Sequence, residues 1–387
     1  MKYLSSIFSF DSLRLSGLRP WGALTALGLL LLVELCIARQ PWIWHAKQES
    51  PVWVQRVIEE EIVETGSAPV VAVVGNSRIL AMVDPDEMER ALGLPPGAVI
   101  NAAITEGTPF DCLNLYRTHR EKLSQSRLLI VGLDSWQCQG RTRPHERVRC
   151  YASWDDRIKY FSGEERLSLL AGYVWRTYDA HKPIGRLARG FALGGEQRNI
   201  IVGRRSRWNP HENESMRGPT LVNVSPQAEA FYGGFVPGSE SFAPLRDLAA
   251  LAHEDGVEIA FCRPPFRDGF IDMVRSRWPE AENQLRSQVA ATLGASGVQP
   301  SQFVFDRASE VGVPADYFSD YGHLLPVGAK MMSRILATDL LKQYGPGFFA
   351  AATGASGSRG DRARHWQREP DQNVPQAVSQ TYHISSD

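Results

Sequence analysis

The stretch VVAVVGNSRIL, residues 70–80, decides the fold and raises the question of function. Five apolar residues run directly into a small polar tip, GNSR, at 75–78. A short, unbroken apolar run that ends in this way is typical of a strand buried on both faces. We therefore predict a strand over 68–74 that presents Ser77 at its end, either as a nucleophile or as an ordinary turn residue.

A second run, SRLLIVGLDSW at 126–136, has the same form. Shorter apolar runs lie at 98–102 and 301–309, and a helix followed by a strand is predicted over 242–266. Further helices are predicted at 50–66, 85–92, 110–123, 280–297 and 326–345. This alternation predicts an α/β fold with a mostly parallel sheet and helices on both faces. Because ligands bind at the carboxyl ends of such strands, the two polar tips should lie on one functional edge.

The composition excludes several classes of function. The chain has 387 residues and a formal net charge of -1, which gives no reason to expect a nucleic acid partner. No dinucleotide fingerprint or phosphate loop follows a strand, and no His/Cys spacing matches a zinc site, so we expect neither cofactor nor metal. Of the five cysteines, Cys138 and Cys150 either form a local disulfide or remain buried thiols.

The amino-terminal region differs from the rest. Residues 21–38, WGALTALGLLLLVELCIA, contain a single charge, Glu34. About 18 apolar residues suffice to span a bilayer, so we predict a transmembrane anchor, with a signal peptide or a buried helix as rivals. A cytoplasmic segment at 1–20 would precede the anchor, and a linker helix within 39–67 would follow it. The flanking charges are nearly balanced and do not set the orientation.

Two further segments flank or interrupt the predicted domain at 68–345. The region at about 140–225 is irregular and rich in arginine. It is either a cover that meets an anionic or sugar-rich ligand or a solvated helical insertion. Residues 346–387 are rich in Gly, Ser, Arg and Gln, which predicts a disordered tail.

A nucleophilic serine needs a base, and the base needs an orienting group. The sequence DYGH at 320–323 places Asp320 three residues before His323, on a loop that precedes the last predicted helix. At that spacing the carboxylate can reach the imidazole and fix its tautomer. Ser77, His323 and Asp320 are therefore candidate catalytic residues. The alternative is a turn serine together with a helix cap and a loop hydrogen bond.

These two motifs resemble those of the SGNH (GDSL-type) hydrolase superfamily. VVGNSR resembles its first block and DYGH its last, and the resemblance covers 68–345. It implies a three-layer α/β fold with a parallel sheet of about five strands, and ester hydrolysis or O-acyl transfer by Ser77, His323 and Asp320.

Residues 75–117 are more narrowly similar to membrane-anchored SGNH-like proteins of bacterial envelopes, some of which acetylate exopolysaccharides. This similarity implies a single-pass protein of the inner membrane with its main domain on the periplasmic side. It also implies acyl ester and glycan substrates, with the possibility of a membrane partner that donates the acyl group.

The resemblance also implies where an oxyanion would bind. It points to the N–H groups of Ser77 and of Ala103, which stands near the family's second-block glycine. Asp134 occupies the third-block position where the family has asparagine, and a carboxylate there would repel an oxyanion. Either Asp134 turns away, or Asn101 or Gln137 substitutes, or the site is weak. The last case motivates a rival function, an inactive SGNH-like module that binds polysaccharide or a membrane partner.

Overall fold

The computed structural model describes residues 20–40, 43–44, 51–64, 68–138, 146–185, 224–233, 239–294 and 301–350. Its centre is one parallel sheet of five strands in the order β2-β1-β3-β4-β5. The strands are β1 (Val71–Gly75), β2 (Val99–Asn101), β3 (Leu128–Gly132), β4 (Glu258–Arg263) and β5 (Ser301–Val304). The predicted α/β class with a parallel sheet is confirmed.

Helices connect and cover the strands. They are α1 (Pro20–Leu32), α2 (Pro51–Glu64), α3 (Ser77–Met82), α4 (Pro85–Leu92), α5 (Pro109–Thr118), α6 (Arg120–Leu123), α7 (Glu146–Tyr151), α8 (Trp154–Tyr160), α9 (Gly163–Val174), α10 (Arg176–Asp179), α11 (Val224–Tyr232), α12 (Ser239–Glu254), α13 (Asp268–Arg277), α14 (Ala281–Gly294), α15 (Pro326–Tyr344) and α16 (Pro346–Ala350).

The sheet has a buried core on each face, because successive strand side chains point to opposite sides. Ala72 and Val74 of β1 belong to one apolar cluster, together with residues of α5 and α12. Val71 and Val73 belong to the other, together with residues of α4 and α15. A strand buried on both sides must be apolar throughout, which is why β1 and β3 are uninterrupted apolar runs.

The register brings the two polar tips together. β1 and β3 are adjacent and parallel, and their last residues, Gly75 and Gly132, are partners in the ladder. The segments that begin at Asn76 and at Leu133 therefore leave the sheet side by side at its carboxyl edge. This is the placement that the sequence predicts.

Local signals set the ends of the flanking helices. Asp84 caps α4 by accepting a hydrogen bond from the N–H of Glu87, and Pro85 takes the first helical position. The predicted last helix ends at Tyr344, where Gly345 follows with φ 76°. Glycine adopts this left-handed region without the strain that a Cβ would cause.

The predicted transmembrane helix over 21–38 is not found. Within the described ranges, no helix has both the length and the apolar character needed to cross a membrane. The regular helix α1 has 13 residues. Its length is therefore about 20 Å, short of a hydrocarbon core of about 30 Å. The chain continues as a π-helical turn, Val33–Ala38, in which Glu34 is buried.

The predicted tail at 346–387 is helical in its first five residues. Residues Pro346–Ala350 form α16, and Phe349 is buried in the same apolar cluster as β1. The N–H of the Arg127 guanidinium donates to the carbonyl of Phe348 at 2.8 Å. The predicted start of disorder is therefore wrong for these five residues, because two aromatic side chains give the segment an apolar anchor. The rest of the predicted tail lies outside the described residues.

The predicted linker helix is part of the domain. Ile58 and Ile62 of α2 are buried in the same cluster as Ala72 and Val74 of β1. Apolar residues at helical spacing were the signal for the helix, and burial against the sheet domain explains them. The segment before α2 includes Ile43 and Trp44, which are buried as well.

Two arginines of the predicted arginine-rich region are structural. Arg147 is buried and forms an ion pair with Asp111 at 3.1 Å. Arg149 forms an ion pair with Asp179 at 2.5 Å. Both guanidinium groups are therefore used inside the domain, and neither serves as an exposed charge that could cover a ligand. The remaining arginines that suggested a cover lie outside the described residues. They are Arg141, Arg143, Arg186, Arg189, Arg198, Arg204, Arg205, Arg207 and Arg217.

All five cysteines lie within the described ranges and are free thiols. Cys138 is buried and Cys150 is half-buried. Of the two alternatives raised by the sequence, the local disulfide is therefore wrong and the thiol form is present.

Gly75 is predicted to be intolerant of any side chain. Its φ is 145°, and an added Cβ would lie 2.0 Å from the carbonyl oxygen of Gly132. Gly75→Ala should lower the free energy of unfolding by about 2–4 kcal/mol, because the backbone of β3 must move. Urea unfolding followed by tryptophan fluorescence measures this change.

Gly269→Ala is the matched control for Gly75→Ala. Gly269 is exposed in the first turn of α13, and an added Cβ there meets no atom within 4 Å. Its replacement should raise the free energy of unfolding by about 0.5 kcal/mol. Equal effects of the two substitutions would contradict the importance of the close approach at Gly75.

Candidate active site

The turn after β1 presents Ser77 at the start of a helix. Asn76 is the cap of α3, and its side-chain oxygen accepts hydrogen bonds from the N–H groups of Arg78 at 3.0 Å and Ile79 at 3.2 Å. A capping asparagine at this point forces the chain to turn sharply from strand to helix. Ser77 is then the first helical residue, and it is half-buried.

The loop before α15 is folded by one carboxylate. Oδ1 of Asp320 accepts hydrogen bonds from the N–H groups of Gly322 and His323, each at 2.8 Å. Its other oxygen, Oδ2, lies 2.7 Å from Nδ1 of His323. Asp320 therefore shapes the loop and orients the imidazole with the same group.

Ser77, His323 and Asp320 lie in one hydrogen-bonded relay. Oγ of Ser77 is 2.7 Å from Nε2 of His323, across 246 positions of sequence. A carboxylate only accepts hydrogen bonds, so the Nδ1 atom that faces Asp320 carries the proton in the neutral ring. Nε2 is then the acceptor for the hydroxyl of Ser77, which is the arrangement of a general base beside a nucleophile.

Asp320 remains a carboxylate in this relay. Burial by itself would raise the pKa of Asp320 above its ordinary value of 3.8. The hydrogen bond and charge of His323, together with the N–H groups of Gly322 and His323, outweigh burial and lower the pKa. An ionised Asp320 stabilises the imidazolium that forms when His323 takes a proton.

Asp134 turns away from the cleft, which corrects its predicted place in the oxyanion site. Its side chain is 0% exposed and forms an ion pair with the guanidinium of Arg78. Nδ2 of Asn76 donates a second hydrogen bond to the carboxylate at 2.7 Å. Two donors therefore satisfy the charge of Asp134 beneath the nucleophile turn.

Arg78 is a site residue that the sequence analysis missed. It is 2% exposed, and its guanidinium donates to the carbonyl of Gly322 at 3.3 Å and to that of Pro265 at 2.8 Å. It also lies over the ring of Phe266, with Cζ 3.3 Å from the ring centroid. An arginine directly before the apolar residues Ile79 and Leu80 was the available signal, since a buried cation requires a partner.

Gly322 allows this contact. An added Cβ at Gly322 would lie 2.6 Å from Nε of Arg78 and 3.2 Å from Cδ1 of Phe266. The loop that carries the base can therefore approach the residue after the nucleophile only with glycine at this position.

The other predicted oxyanion donors are already engaged. The N–H of Ala103 donates to Oδ1 of Asn101 at 3.3 Å, and Nδ2 of Asn101 donates to the carbonyls of Leu80 at 3.1 Å and Val83 at 2.8 Å. Asn101 therefore ties β2 to the end of α3, and Ala103 faces the core rather than the cleft.

Gln137 is engaged as well. Its side-chain NH₂ group donates to the carbonyl of Gly107, and its Oε1 accepts from Nδ2 of Asn76 at 2.6 Å and from the N–H of Asp134 at 2.8 Å. A residue that uses both ends of its amide to join three segments is a structural brace. Gln137 therefore does not replace the missing asparagine as an oxyanion donor, as the sequence had suggested it could.

The loop after β2 forms a tight turn over 104–107 against the nucleophile segment. The N–H of Gly107 donates to the carbonyl of Ile104 at 2.9 Å, and the N–H of Ile104 donates to that of Gly75 at 2.9 Å. Glu106, the third residue of the turn, has φ 58°, and among the described residues it is the only non-glycine with a positive φ. Glycine is the usual residue at such a position.

Arg147 fixes the carbonyl side of this turn. Its Nη1 donates to the carbonyl of Thr105 and its Nη2 to that of Glu106, each at 2.8 Å. Within the described part of the chain, no acceptor takes up the N–H groups of Ser77, Thr105 or Glu106. These three are the free backbone donors of the two turns, and only that of Ser77 was predicted.

An aromatic cluster borders the imidazole. The ring of Tyr321 lies edge-on to that of His323 at 5.9 Å and contacts Phe270 at 4.7 Å and Phe266 at 6.4 Å. It packs the loop against α13 and against the segment that follows β4. Within the described ranges, no three His, Cys, Asp or Glu side chains are grouped to hold a metal ion.

Comparison of the chain with protein-family models, curated proteins and solved structures gives no match.

Arg78→Met is predicted to be strongly destabilising. Removing one member of a buried ion pair leaves Asp134 charged and uncompensated, which costs about 3–5 kcal/mol. The double variant Arg78→Met/Asp134→Asn should recover part of this loss, because the carboxylate is no longer present. Urea unfolding of the wild-type chain, both single variants and the double variant measures the coupling. Additive effects would contradict a direct pairing of the two charges.

Asp320→Asn is predicted to change the pH dependence of stability. The pKa of Asp320 is lower in the folded chain than in the unfolded chain, so its ionised form stabilises the fold above pH 3.8. That contribution is lost as the pH falls from 3.8 through the lowered pKa. The difference in free energy of unfolding between wild type and Asp320→Asn should therefore be constant near neutral pH and shrink in acid.

Unfolding titrations across this pH range check the prediction, with Ser309→Ala, a change at an exposed residue, as control. The control should track the wild type at every pH. A wild-type advantage over Asp320→Asn that persists unchanged in acid would contradict the assigned role of the carboxylate.

Proposed function

We propose that the chain is a serine esterase or O-acyltransferase of the SGNH type. The observation that carries this proposal is the relay of Ser77, His323 and Asp320, in which both links measure 2.7 Å. The parallel five-stranded sheet, with the relay at its carboxyl edge, is consistent with the three-layer fold that the resemblance implies.

The relay supports a two-step reaction. Oγ of Ser77 attacks the acyl carbonyl while its proton passes to Nε2 of His323. The tetrahedral intermediate then expels the donor's alcohol, which takes the proton from His323 and leaves the acyl group on Ser77. An acceptor hydroxyl, from water or a glycan, repeats the sequence and restores the serine. Hydrolysis and transfer differ only in that acceptor.

Backbone donors would receive the oxyanion. The N–H of Ser77 is adjacent to the nucleophile, and the turn at 104–107 contributes the N–H groups of Thr105 and Glu106. Arg147 holds that turn rigid through its two carbonyls. Preorganised donors of this kind stabilise developing negative charge without reorganisation. The strained φ of Glu106 is then the cost of directing an N–H toward the cleft.

The substrate follows from the resemblance. We propose an acyl ester, most simply an acetyl ester, of a cell-envelope glycan. Attachment of the protein to a membrane is part of this proposal, with the main domain outside the cytoplasm. It is supported by α1, whose leucines are exposed to the surroundings at 41–58% of their surface. A single-pass topology and an acyl-donor partner remain predictions.

The rival function is a non-catalytic module that binds polysaccharide or a membrane partner. The reason to consider it was repulsion between an oxyanion and the carboxylate of Asp134. The ion pair with Arg78 weakens that reason, since the charge is neutralised and buried. The engagement of Ala103, Asn101 and Gln137 still favours the rival, because three predicted donors are absent from the cleft.

Activity should fall in a graded manner when the relay is altered. We expect Ser77→Ala to lower kcat for p-nitrophenyl acetate by ~10⁶, and Asp320→Asn by ~10⁴ through loss of the correct imidazole tautomer. Steady-state kinetics of the detergent-solubilised full chain, together with labelling by a fluorophosphonate probe, measures both effects.

Ser309→Ala serves as the control and should retain the turnover and the labelling of the wild type. Equal turnover by wild type and Ser77→Ala would overturn the proposal. Retention of glycan by both proteins without any fluorophosphonate labelling would favour the rival function instead.

A further inference from the structure

Exposed large apolar side chains are concentrated in two segments. Of the 13 such residues within the described ranges, seven lie in 20–38, five lie in 154–178 and one, Val327, lies elsewhere. The first group is Leu24, Leu27, Leu29, Leu30, Leu31, Leu32 and Leu35, and the second is Trp154, Ile158, Leu167, Val174 and Tyr178. A distribution this uneven marks a surface that is covered by something apolar.

The second segment forms one apolar face. Trp154 and Ile158 are four residues apart on α8, and therefore project from the same side of that helix. Leu167 and Val174 are seven residues apart on α9, with exposed Ala171 between them. The ring of Trp154 contacts that of Tyr173, beside Val174, at 5.6 Å, which joins the two helices. We call the side chains of Trp154, Ile158, Leu167, Ala171 and Val174 the helical face.

The helical face adjoins the end of the leucine-rich helix. Glu34 accepts hydrogen bonds from the N–H of Arg176 at 2.9 Å, and from the N–H and hydroxyl of Thr177 at 2.7 and 2.8 Å. Arg39 pairs with Glu34 at 3.1 Å and donates to the carbonyl of Val174 at 3.2 Å. The one charge of the apolar stretch therefore fixes it to the start of α10, directly after α9.

The leucine-rich helix indicates what covers both surfaces. Leu29, Leu30, Leu31 and Leu32 are consecutive, and at 3.6 residues per turn they project around almost the whole circumference of α1. A groove in a protein covers one side of a helix, whereas lipid covers all sides. Trp154 and Tyr178 are residue types that favour the boundary between lipid and water.

We propose that the helical face lies on the same phospholipid bilayer into which α1 inserts. The proposal rests on the membrane attachment proposed above, and not on the proposed chemistry. The domain would then be seated on the membrane rather than suspended from a tether. Because α7 lies in the same helical segment and carries Arg147, which holds the turn at 104–107, the candidate active site would stand at a fixed height above the bilayer.

Depth-sensitive probes on the full chain test this proposal. Val174→Cys and Val327→Cys are a matched pair, since both replace an exposed valine, at 63% and 47% exposure. Leu30→Cys reports on α1 itself. Each is made in a Cys36→Ser background, because Cys36 is the exposed native thiol, whereas burial raises the pKa of half-buried Cys150 to about 12. The thiols are labelled with a nitrobenzoxadiazole dye, and the protein is reconstituted into vesicles of phosphatidylethanolamine and phosphatidylglycerol.

We expect the dye at Val174 to emit at shorter wavelength than the dye at Val327. It should lose emission to a nitroxide-bearing lipid and resist aqueous iodide, and the dye at Val327 should show the reverse. Lipid quenching at Leu30 with iodide quenching at Val174 would overturn the seated arrangement while leaving the anchor in place. Iodide quenching at all three positions would overturn membrane attachment and this proposal together. Fluorophosphonate labelling of Ser77, measured on the same samples, reports separately on the proposed chemistry.

Discussion

The buried ion pair between Arg78 and Asp134 is the constraint on which the candidate active site depends. A guanidinium and a carboxylate in the interior are tolerated only when each is fully hydrogen-bonded, so their partners cannot move independently. Those partners are the cap of α3, the segment that follows β4 and the loop that carries His323. The residue after the nucleophile therefore fixes the positions of the three segments that meet at the carboxyl edge of the sheet.

In the loop that carries His323, a single carboxylate likewise holds several groups in place. Asp320 folds the loop through two backbone N–H groups and orients the imidazole through its second oxygen. The ring of Tyr321 lies edge-on to the imidazole. A rotation of the His323 ring would break its bond to the same carboxylate that folds the loop, and this coupling keeps Nε2 aligned with Oγ of Ser77 in the absence of substrate.

Sequence patterns were informative where the signal is local. β1 and β3 follow from apolar runs, and the ends of α4 and α15 from Asp84, Pro85 and Gly345. The relay also followed from spacing, because Asp320 and His323 are neighbours in sequence. The oxyanion donors did not, because Asn101 donates to the carbonyls of Leu80 and Val83 and Asp134 pairs with Arg78 across 56 positions. Such pairings between distant segments are tertiary, and a pattern read along the chain does not contain them.

The burial of Glu34 has a consequence for the order in which segments of the chain fold. Its carboxylate lies in an apolar stretch and is satisfied by groups of Arg176 and Thr177, about 140 residues later in the chain. Until that segment is made and folded, the carboxylate has only water to solvate it, and burying it would cost several kcal/mol. The last turn of the apolar helix must therefore remain hydrated during synthesis. Its docking is a late event, because this helix is translated before the segment at 176–177 but can dock only after that segment has folded.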